Sequence, residues 1–98
     1  MTTELLTIDM FSDKVGQAFA LEEAELPAID LVLAECKAIP NYANAARKPF
    51  SLLFKSQGVG VLPQRMYRLQ HTALGSQIFF LVPIGMTDDV VTYQAIFN

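Results

Sequence analysis

The chain has 98 residues, of which 52% are hydrophobic and only 17% are charged. A chain of this length is expected to form a single domain, residues 1–98, with one modest core, and a charged fraction below the roughly 25% typical of soluble domains argues against disorder. Ten acidic residues against seven basic ones give a net charge of −3, which argues against a protein that binds nucleic acid through a basic face.

The first element is predicted to be a short helix over residues 5–16. Leu6 and Phe11 stand at the spacing of a hydrophobic staple, and Gly16 is suited to end the helix in a left-handed conformation. Phe11 and Val15 are four residues apart and share one face, which needs an apolar surface to pack on. The residues before the helix lack a basic segment and carry an early acid, so we expect no secretory signal and a cytoplasmic protein.

From residue 17 onward, apolar and polar residues alternate with a period of two, which predicts strands. Six such segments follow one another in chain order: 17–23, 28–39, 48–56, 65–71, 78–84 and 90–98. Short connections at 73–76 and 85–89 are typical of hairpins, and no crossover helix separates the strands. The predicted fold is mainly β: a small antiparallel six-stranded barrel or barrel-like meander with one short N-terminal helix, with a small sandwich as the alternative.

The segment GSQIFFLVPIGM at 75–86 is the most hydrophobic stretch, and residues 78–84 carry no polar side chain. It is too short for a membrane-spanning helix, which needs about 20 apolar residues, so we expect no membrane partner. Residues 78–84 are instead predicted to form a strand buried on both faces and bounded by Gly75 and by Pro83 to Gly85. One set of side chains is expected to fill the barrel, either Ile78, Phe80 and Val82 or Phe79 and Leu81. The other set is expected to be covered by the N-terminal helix, through Phe11 and Val15, or by a partner subunit.

Cys36 is the only cysteine and His71 the only histidine, so neither a disulfide nor a cluster of cysteine ligands for a metal can form. Thiol catalysis would need these two side chains in contact and a third group that orients the imidazole, and no residue pattern indicates one. We expect Cys36 to be a small half-buried strand residue and His71 to bond a turn carbonyl. The prediction is therefore a protein that is not an enzyme and has no cofactor or metal, with thiol chemistry at Cys36 and His71 as the alternative.

The densest acidic group is formed by Glu22, Glu23 and Glu25, at the end of a predicted strand and just before Leu26-Pro27. Paired carboxylates can carry acid–base chemistry when both face one cleft. Their position at a strand end favours a solvated rim instead.

Basic and aromatic residues meet in the middle of the chain. Arginine beside an exposed tyrosine is typical of protein interfaces. The predicted binding residues are Arg47, Phe50, Arg65, Tyr67, Arg68 and His71. Two alternatives stay open: a solvated strand face that balances the acidic N-terminal half, and a small-ligand pocket at a barrel mouth lined by Phe50, Tyr67 and His71.

Several segments together resemble a family of small uncharacterised bacterial proteins whose chains end in a Tyr-x-Ala-x-Phe-Asn motif. They are PFSLLF at 49–54, LPQRMYRL at 62–69, His71 with Ala73-Leu74-Gly75, FLVP at 80–83 and YQAIFN at 93–98. Phe11, Val15-Gly16 and Phe19 are similar to the opening of that family, so the resemblance covers most of the chain. It implies a domain without an assigned activity, a setting beside phage-tail-like or collar-like proteins, and no catalytic residue.

Composition and the absence of a chemical constellation together predict a non-enzymatic protein-interaction or assembly module. Its partner is expected to be another protein or a second copy of the chain. A small-ligand-binding β-barrel is the alternative function.

Overall fold

The computed structural model describes residues 6–23, 29–40, 48–57 and 60–97. In these ranges a 3-10 helix, Ile8–Met10, precedes the strands β1 (Ala18–Leu21), β2 (Asp30–Ala38), β3 (Phe50–Gln57), β4 (Arg65–His71), β5 (Gly75–Thr87) and β6 (Val90–Phe97). The strands close into a barrel in the order β1–β2–β3–β6–β5–β4, and every neighbouring pair, including β4 with β1, is antiparallel. The predicted antiparallel six-stranded barrel is confirmed, and the sandwich alternative is wrong.

The barrel interior is filled by side chains that alternate along each strand, as the period of two predicts. In β3 the alternation is complete, because Phe50, Leu52, Phe54 and Ser56 are buried while the residues between them are partly or fully exposed. The remaining buried strand residues are Phe19, Leu21, Leu31, Leu33, Tyr67, Leu69, His71, Phe79, Leu81, Val91, Tyr93 and Ala95. The core is therefore the inside of the barrel, and rings occupy much of it.

The N-terminal segment plugs one end of the barrel instead of forming the predicted helix over 5–16. Its regular structure is the single turn Ile8–Met10, after which turns lead to Gly16 at a φ of 91°. The Phe11 ring is fully buried, with the ring centres of Phe50 and Phe79 each 5.9 Å away. Val15 is exposed, so it is not the apolar anchor that the sequence suggested. A buried aromatic anchor thus fixes this segment, so a regular helix is not needed to hold it.

Strand β5 corrects the prediction for residues 78–84. Phe79 and Leu81 point into the core, but Ile78 and Phe80 on the other side are exposed, so the strand is not buried on both faces. Nor does it stop at Pro83, because a bulge between Pro83 and Gly85 shifts the pairing with β6 by one residue and lets the strand run on to Thr87. The N-terminal segment does not cover the outer side chains, because its ring lies inside the barrel.

The β5–β6 hairpin turns through Asp88 and Asp89, which both have positive φ angles, 51° and 72°. Two central residues of this kind define the type I′ turn that matches strand twist, and aspartate tolerates it. This confirms the hairpin predicted within 85–89. Among the described residues, no helix is long and apolar enough to cross a membrane.

Candidate functional site

The six predicted binding residues do not form one surface. Phe50, Tyr67 and His71 are buried inside the barrel. Arg65 and Arg68 are exposed, and Arg47 lies outside the described residues. Phe50 stacks on Phe97 with ring centres 4.7 Å apart, so its ring belongs to the core. The three aromatic members of the predicted set are thus core side chains, while the two described arginines are exposed.

Arg65 and Arg68 are tied to Glu23 at the place where β1 ends beside β4. One Glu23 oxygen accepts a hydrogen bond from the Arg68 backbone amide at 3.0 Å, and the other lies 3.3 Å from the Arg65 guanidinium. The Arg65 guanidinium also stacks over the Tyr67 ring, 4.6 Å from its centre. Glu23 thus continues the β1–β4 pairing with its side chain after the backbone ladder stops.

Two of the acids predicted to form a solvated rim make hydrogen bonds to neighbouring strands. Besides the bonds of Glu23, the carboxylate of Glu22 accepts a hydrogen bond from the Ser76 hydroxyl at the start of β5. Glu25 lies outside the described residues. The two described glutamates thus connect the end of β1 to β4 and β5, and their carboxylates hold these strands together.

His71 uses both ring nitrogens inside the protein. Its Nδ1 accepts a hydrogen bond from the Ala73 backbone amide at 3.0 Å, which requires an unprotonated Nδ1. Its Nε2 therefore carries the proton and donates to Gln17 Oε1 at 2.6 Å. The ring also packs on Phe19, with centres 4.7 Å apart. The turn partner is an amide and not the carbonyl that the sequence suggested, and the two hydrogen bonds fix the orientation of the imidazole.

Cys36 is half-buried on β2, and its Sγ lies 3.9 Å from the Ile8 carbonyl oxygen. Burial raises the pKa of the thiol above its ordinary value, which is opposite to the shift that activates a cysteine nucleophile. Because the nitrogens of His71 bond to Gln17 and Ala73, the two side chains needed for thiol chemistry are not paired. In the described ranges no three His, Cys, Asp or Glu side chains are grouped for a metal.

An exposed apolar patch lies on the outside of β4 and β5. Met66 is directly opposite Phe80, and Arg68 is opposite Ile78, in the antiparallel register of the two strands. The exposed fractions are 55% for Met66, 48% for Ile78 and 44% for Phe80. Directly opposed side chains on one side of a sheet are about 5 Å apart at Cβ, so the three form one patch with Arg68 at its edge. We call Met66, Ile78 and Phe80 the apolar face.

A groove of about 380 Å³ lies on another part of the outer surface, carried mainly by β2 and β3. Its floor includes the half-buried Ser51 and Leu53, and Ile39 and Ile84 add aliphatic walls. Glu35 places a carboxylate on this lining and Lys37 an ammonium group. We call this concavity the outer groove.

A second concavity of about 500 Å³ lies where β2 and β3 separate. Their register ends at the pair Val32–Lys55, although β2 stays paired with β1 through Asp30 and β3 with β6 through Gln57. Ser56 lines this cleft, and in the described part of the chain its buried Oγ finds no hydrogen-bond partner. The rest of the lining consists of the apolar Ile29, Val32, Ala34 and Val90, the charged Asp30 and Lys55, and Gln57. The cleft therefore combines apolar walls with charged groups of both signs.

Fold and surface together define a small closed antiparallel β-barrel with a filled interior and an apolar face on its outside. The chain belongs to the family described as Domain of unknown function (DUF6916), which matches residues 6–97. The resemblance to a family without an assigned activity, drawn from the sequence, is confirmed. No curated protein and no solved structure matches the chain.

Proposed function

We propose that this barrel is a non-enzymatic protein-interaction module that binds a partner protein through its apolar face. The observation that carries the proposal is the exposure of Met66, Ile78 and Phe80 side by side on paired strands. Isolated exposed apolar residues are common on protein surfaces, but a contiguous patch marks a site of association. Methionine, phenylalanine and arginine are also enriched in protein interfaces, and Arg68 borders this patch.

The energy available from the apolar face is substantial. Fully burying one large apolar side chain contributes roughly 1.5–3 kcal/mol, so three half-exposed side chains contribute about 1 kcal/mol each. A total of about 3 kcal/mol corresponds to roughly a hundredfold in affinity. The apolar face is therefore the centre of a larger interface, where a few residues supply most of the affinity.

The barrel also limits how a partner can bind. A closed sheet has no free edge strand to which another strand could add along its length. On the strands that the structure describes, association is therefore expected at an outer face. An assembly role beside phage-tail-like proteins is the biological setting that the family resemblance implies, and an apolar face is the feature that such a role would use.

The test is site-specific photo-crosslinking in the cells that naturally encode the protein. A benzophenone amino acid replaces Phe80 in one variant and Val61 in the matched control, since Val61 is 54% exposed but lies outside the apolar face. We expect protein adducts, identified by mass spectrometry, at position 80 and far fewer at position 61. Equal adduct yields at both positions, or none at position 80, would overturn the proposal.

A second candidate function is the binding of a small polar ligand in the β2–β3 cleft. It is favoured by the unpartnered Ser56 Oγ, because a buried polar group without a partner is rare in proteins, and by the charged Asp30 and Lys55 that line the same cleft. Native mass spectrometry of the protein purified from its own cells tests this candidate. A bound small molecule is expected in the wild type and not in Ser56→Val, and a wild type without any adduct would contradict it.

A further inference from the structure

Ser56 forms the floor of the β2–β3 cleft. It follows Lys55, the last β3 residue that pairs with β2, whereas on its other side it stays paired with Val91 of β6. Only 4% of its surface is exposed, which makes it the most buried of the lining residues. Because β2 has separated from β3 at this point, the cleft reaches inward to the Ser56 side chain.

The hydroxyl of Ser56 stands at the end of an otherwise apolar row. The inward residues before it on β3 are Phe50, Leu52 and Phe54, and the described part of the chain gives its Oγ no hydrogen-bond partner. A hydroxyl can donate one hydrogen bond and accept two, and leaving it buried and unpaired is unfavourable. A ligand that enters the cleft and hydrogen-bonds to this Oγ removes the penalty.

The walls of the cleft carry opposite charges. Asp30 lies on β2 and Lys55 lies on β3, and neither forms an ion pair with another described residue. A ligand with a single charge is attracted to one of these groups and repelled by the other. A ligand with one cationic and one anionic group is attracted to both, so the lining favours a zwitterion.

The apolar part of the cleft is aliphatic. Among the described residues that line it, none offers an aromatic ring on which a flat ligand could stack, and the apolar ones are Ile29, Val32, Ala34 and Val90. The volume of about 500 Å³ lies in the ordinary range for small-molecule sites, roughly 300–1,000 Å³. A small ligand with an aliphatic side chain is therefore a better match than a purine or another aromatic compound.

We propose that the β2–β3 cleft binds a free α-amino acid with an aliphatic side chain. The ammonium group of the ligand faces Asp30, and its carboxylate faces Lys55 and accepts a hydrogen bond from the Ser56 hydroxyl. Its side chain packs on the aliphatic walls, which include Val32 and Val90. A residue inside a peptide lacks both charges and a peptide terminus keeps only one, so the free amino acid is selected. This ligand class rests on the second candidate function, the binding of a small polar ligand in the cleft, and is independent of the apolar face.

The experiment measures binding to the full chain by isothermal titration calorimetry after extensive dialysis. Four probes separate the features of the ligand. Leucine carries all of them, N-acetylleucine lacks the ammonium charge, leucinamide lacks the carboxylate, and glycine lacks the aliphatic side chain. We expect leucine to bind and each of the other three to bind at least about tenfold more weakly. One contact to a charged group, or one buried aliphatic side chain, contributes at least about that factor.

Substitutions assign the two charges to their walls. Asp30→Asn is expected to bind leucine and N-acetylleucine with similar affinity, because the carboxylate that distinguishes them is gone. Lys55→Met is expected to bind leucine and leucinamide with similar affinity for the corresponding reason. Lys37→Met is the matched control, since Lys37 is an exposed β2 lysine of the outer groove, and it is expected to keep the wild-type preference. A merely structural effect of a substitution would weaken all probes alike and leave the preference unchanged.

Ser56→Ala tests the floor of the cleft. The variant loses the hydroxyl that donates to the ligand carboxylate, so we expect its affinity for leucine to fall about tenfold. Thermal melting without ligand checks that the variant is folded. Leucine is also expected to raise the melting temperature of the wild type more than that of Ser56→Ala, because a ligand stabilises the folded state more when it binds more tightly.

Three results would overturn the inference in distinguishable ways. If N-acetylleucine or leucinamide binds as tightly as leucine, the cleft does not select a zwitterion. If leucine does not bind but native mass spectrometry shows another small molecule that is lost in Ser56→Val, the second candidate function stands with a ligand of a different class. If neither method finds a bound small molecule, the inference and the second candidate function both fail.

Discussion

The hydroxyl of Tyr93 accepts a hydrogen bond from the backbone amide of Leu62 at 2.8 Å, across 31 residues of sequence. The hydroxyl of Tyr67 is instead a donor, and it gives its hydrogen bond to the Pro63 carbonyl oxygen. Both rings are buried in the barrel, so two tyrosines from β4 and β6 hold the segment before β4 against one end. The N-terminal segment closes the other end through Phe11. These contacts thus close the barrel at both ends.

The first prediction concerns Tyr93→Phe. The change keeps the ring but leaves the buried Leu62 amide without its acceptor, which costs about 1–3 kcal/mol when water cannot replace it. We expect the free energy of unfolding, measured by urea titration, to fall by that amount with an unchanged slope. Gln70→Ala is the control because Gln70 is an exposed strand residue. Phe54→Tyr is not suitable as a control because it adds a polar group to the core. Unchanged stability in Tyr93→Phe would contradict the sealing role of this bond.

Glu23 offers a prediction about the β1–β4 seam. Glu23→Gln keeps an acceptor for the Arg68 amide and loses the charge that pairs with Arg65, and an exposed ion pair is worth about 0–1 kcal/mol. Glu23→Ala loses both contacts, so we expect it to be the more destabilising of the two, by about 1 kcal/mol. Urea unfolding at low and high salt separates the two parts, since only the ion pair is screened. Equal stability of the two variants would show that the amide bond contributes nothing.

Truncation of Phe11 tests whether its buried ring holds the N-terminal segment in the end of the barrel. Phe11→Ala leaves a cavity among Phe19, Phe50 and Phe79, and truncations of buried phenylalanine typically cost about 3–5 kcal/mol. Val15→Ala, four residues later and exposed, is the control and is expected to change stability by less than about 0.5 kcal/mol. Thermal and urea unfolding measure both. Similar effects for the two variants would mean that the N-terminal segment does not rely on its buried ring.

For Ser56 we predict that a substitution raises the free energy of unfolding instead of lowering it. Its Oγ is buried without a hydrogen-bond partner in the described part of the chain, and such a group costs about 1–3 kcal/mol of stability. Ser56→Ala removes that group and is expected to raise the free energy of unfolding by about 1 kcal/mol in the ligand-free protein. A loss of stability in Ser56→Ala would show that the hydroxyl is satisfied in solution.

The pH dependence of Cys36 tests the thiol alternative. Burial raises the pKa of the thiol, so the reactive thiolate forms only at a pH above that needed for an ordinary cysteine. We expect the alkylation rate of the folded protein with iodoacetamide to be lower than that of the urea-unfolded chain near neutral pH. The folded rate is expected to rise toward higher pH. A folded thiol that reacts faster than the unfolded one at neutral pH would indicate an activated nucleophile and contradict this account.

Strand positions could be predicted from the sequence because most inward residues are apolar, Ser56 and His71 being exceptions, and most strands carry polar residues outside. This holds for β3 and β4, whose predicted bounds differ from the observed ones by two residues or fewer. The rule failed for β5, where Ile78 and Phe80 are as apolar as Phe79 and Leu81, so no polar residue marks the outer side. Periodicity cannot separate an exposed apolar side chain from a covered one.

The site could be predicted less well than the fold, for a related reason. The sequence predicts Phe50 and Tyr67 as binding residues because basic residues flank them, but flanking residues in a strand point to the opposite side or lie at its end. Cross-strand register supplies the missing information, since it pairs Met66 with Phe80 on the outside. The outward positions of 65–71, where Met66 alternates with the inward Tyr67, carry the signal of an apolar side chain on the surface.

The most direct test of the central claim, that this barrel binds a partner protein through its apolar face, is photo-crosslinking from each apolar-face position in the cells that naturally encode the protein. We expect protein adducts when the benzophenone amino acid replaces Met66, Ile78 or Phe80, and far fewer when it replaces the exposed Val61. Equal adduct yields at Val61 and at the three apolar-face positions, or no adduct at any of the three, would contradict the claim.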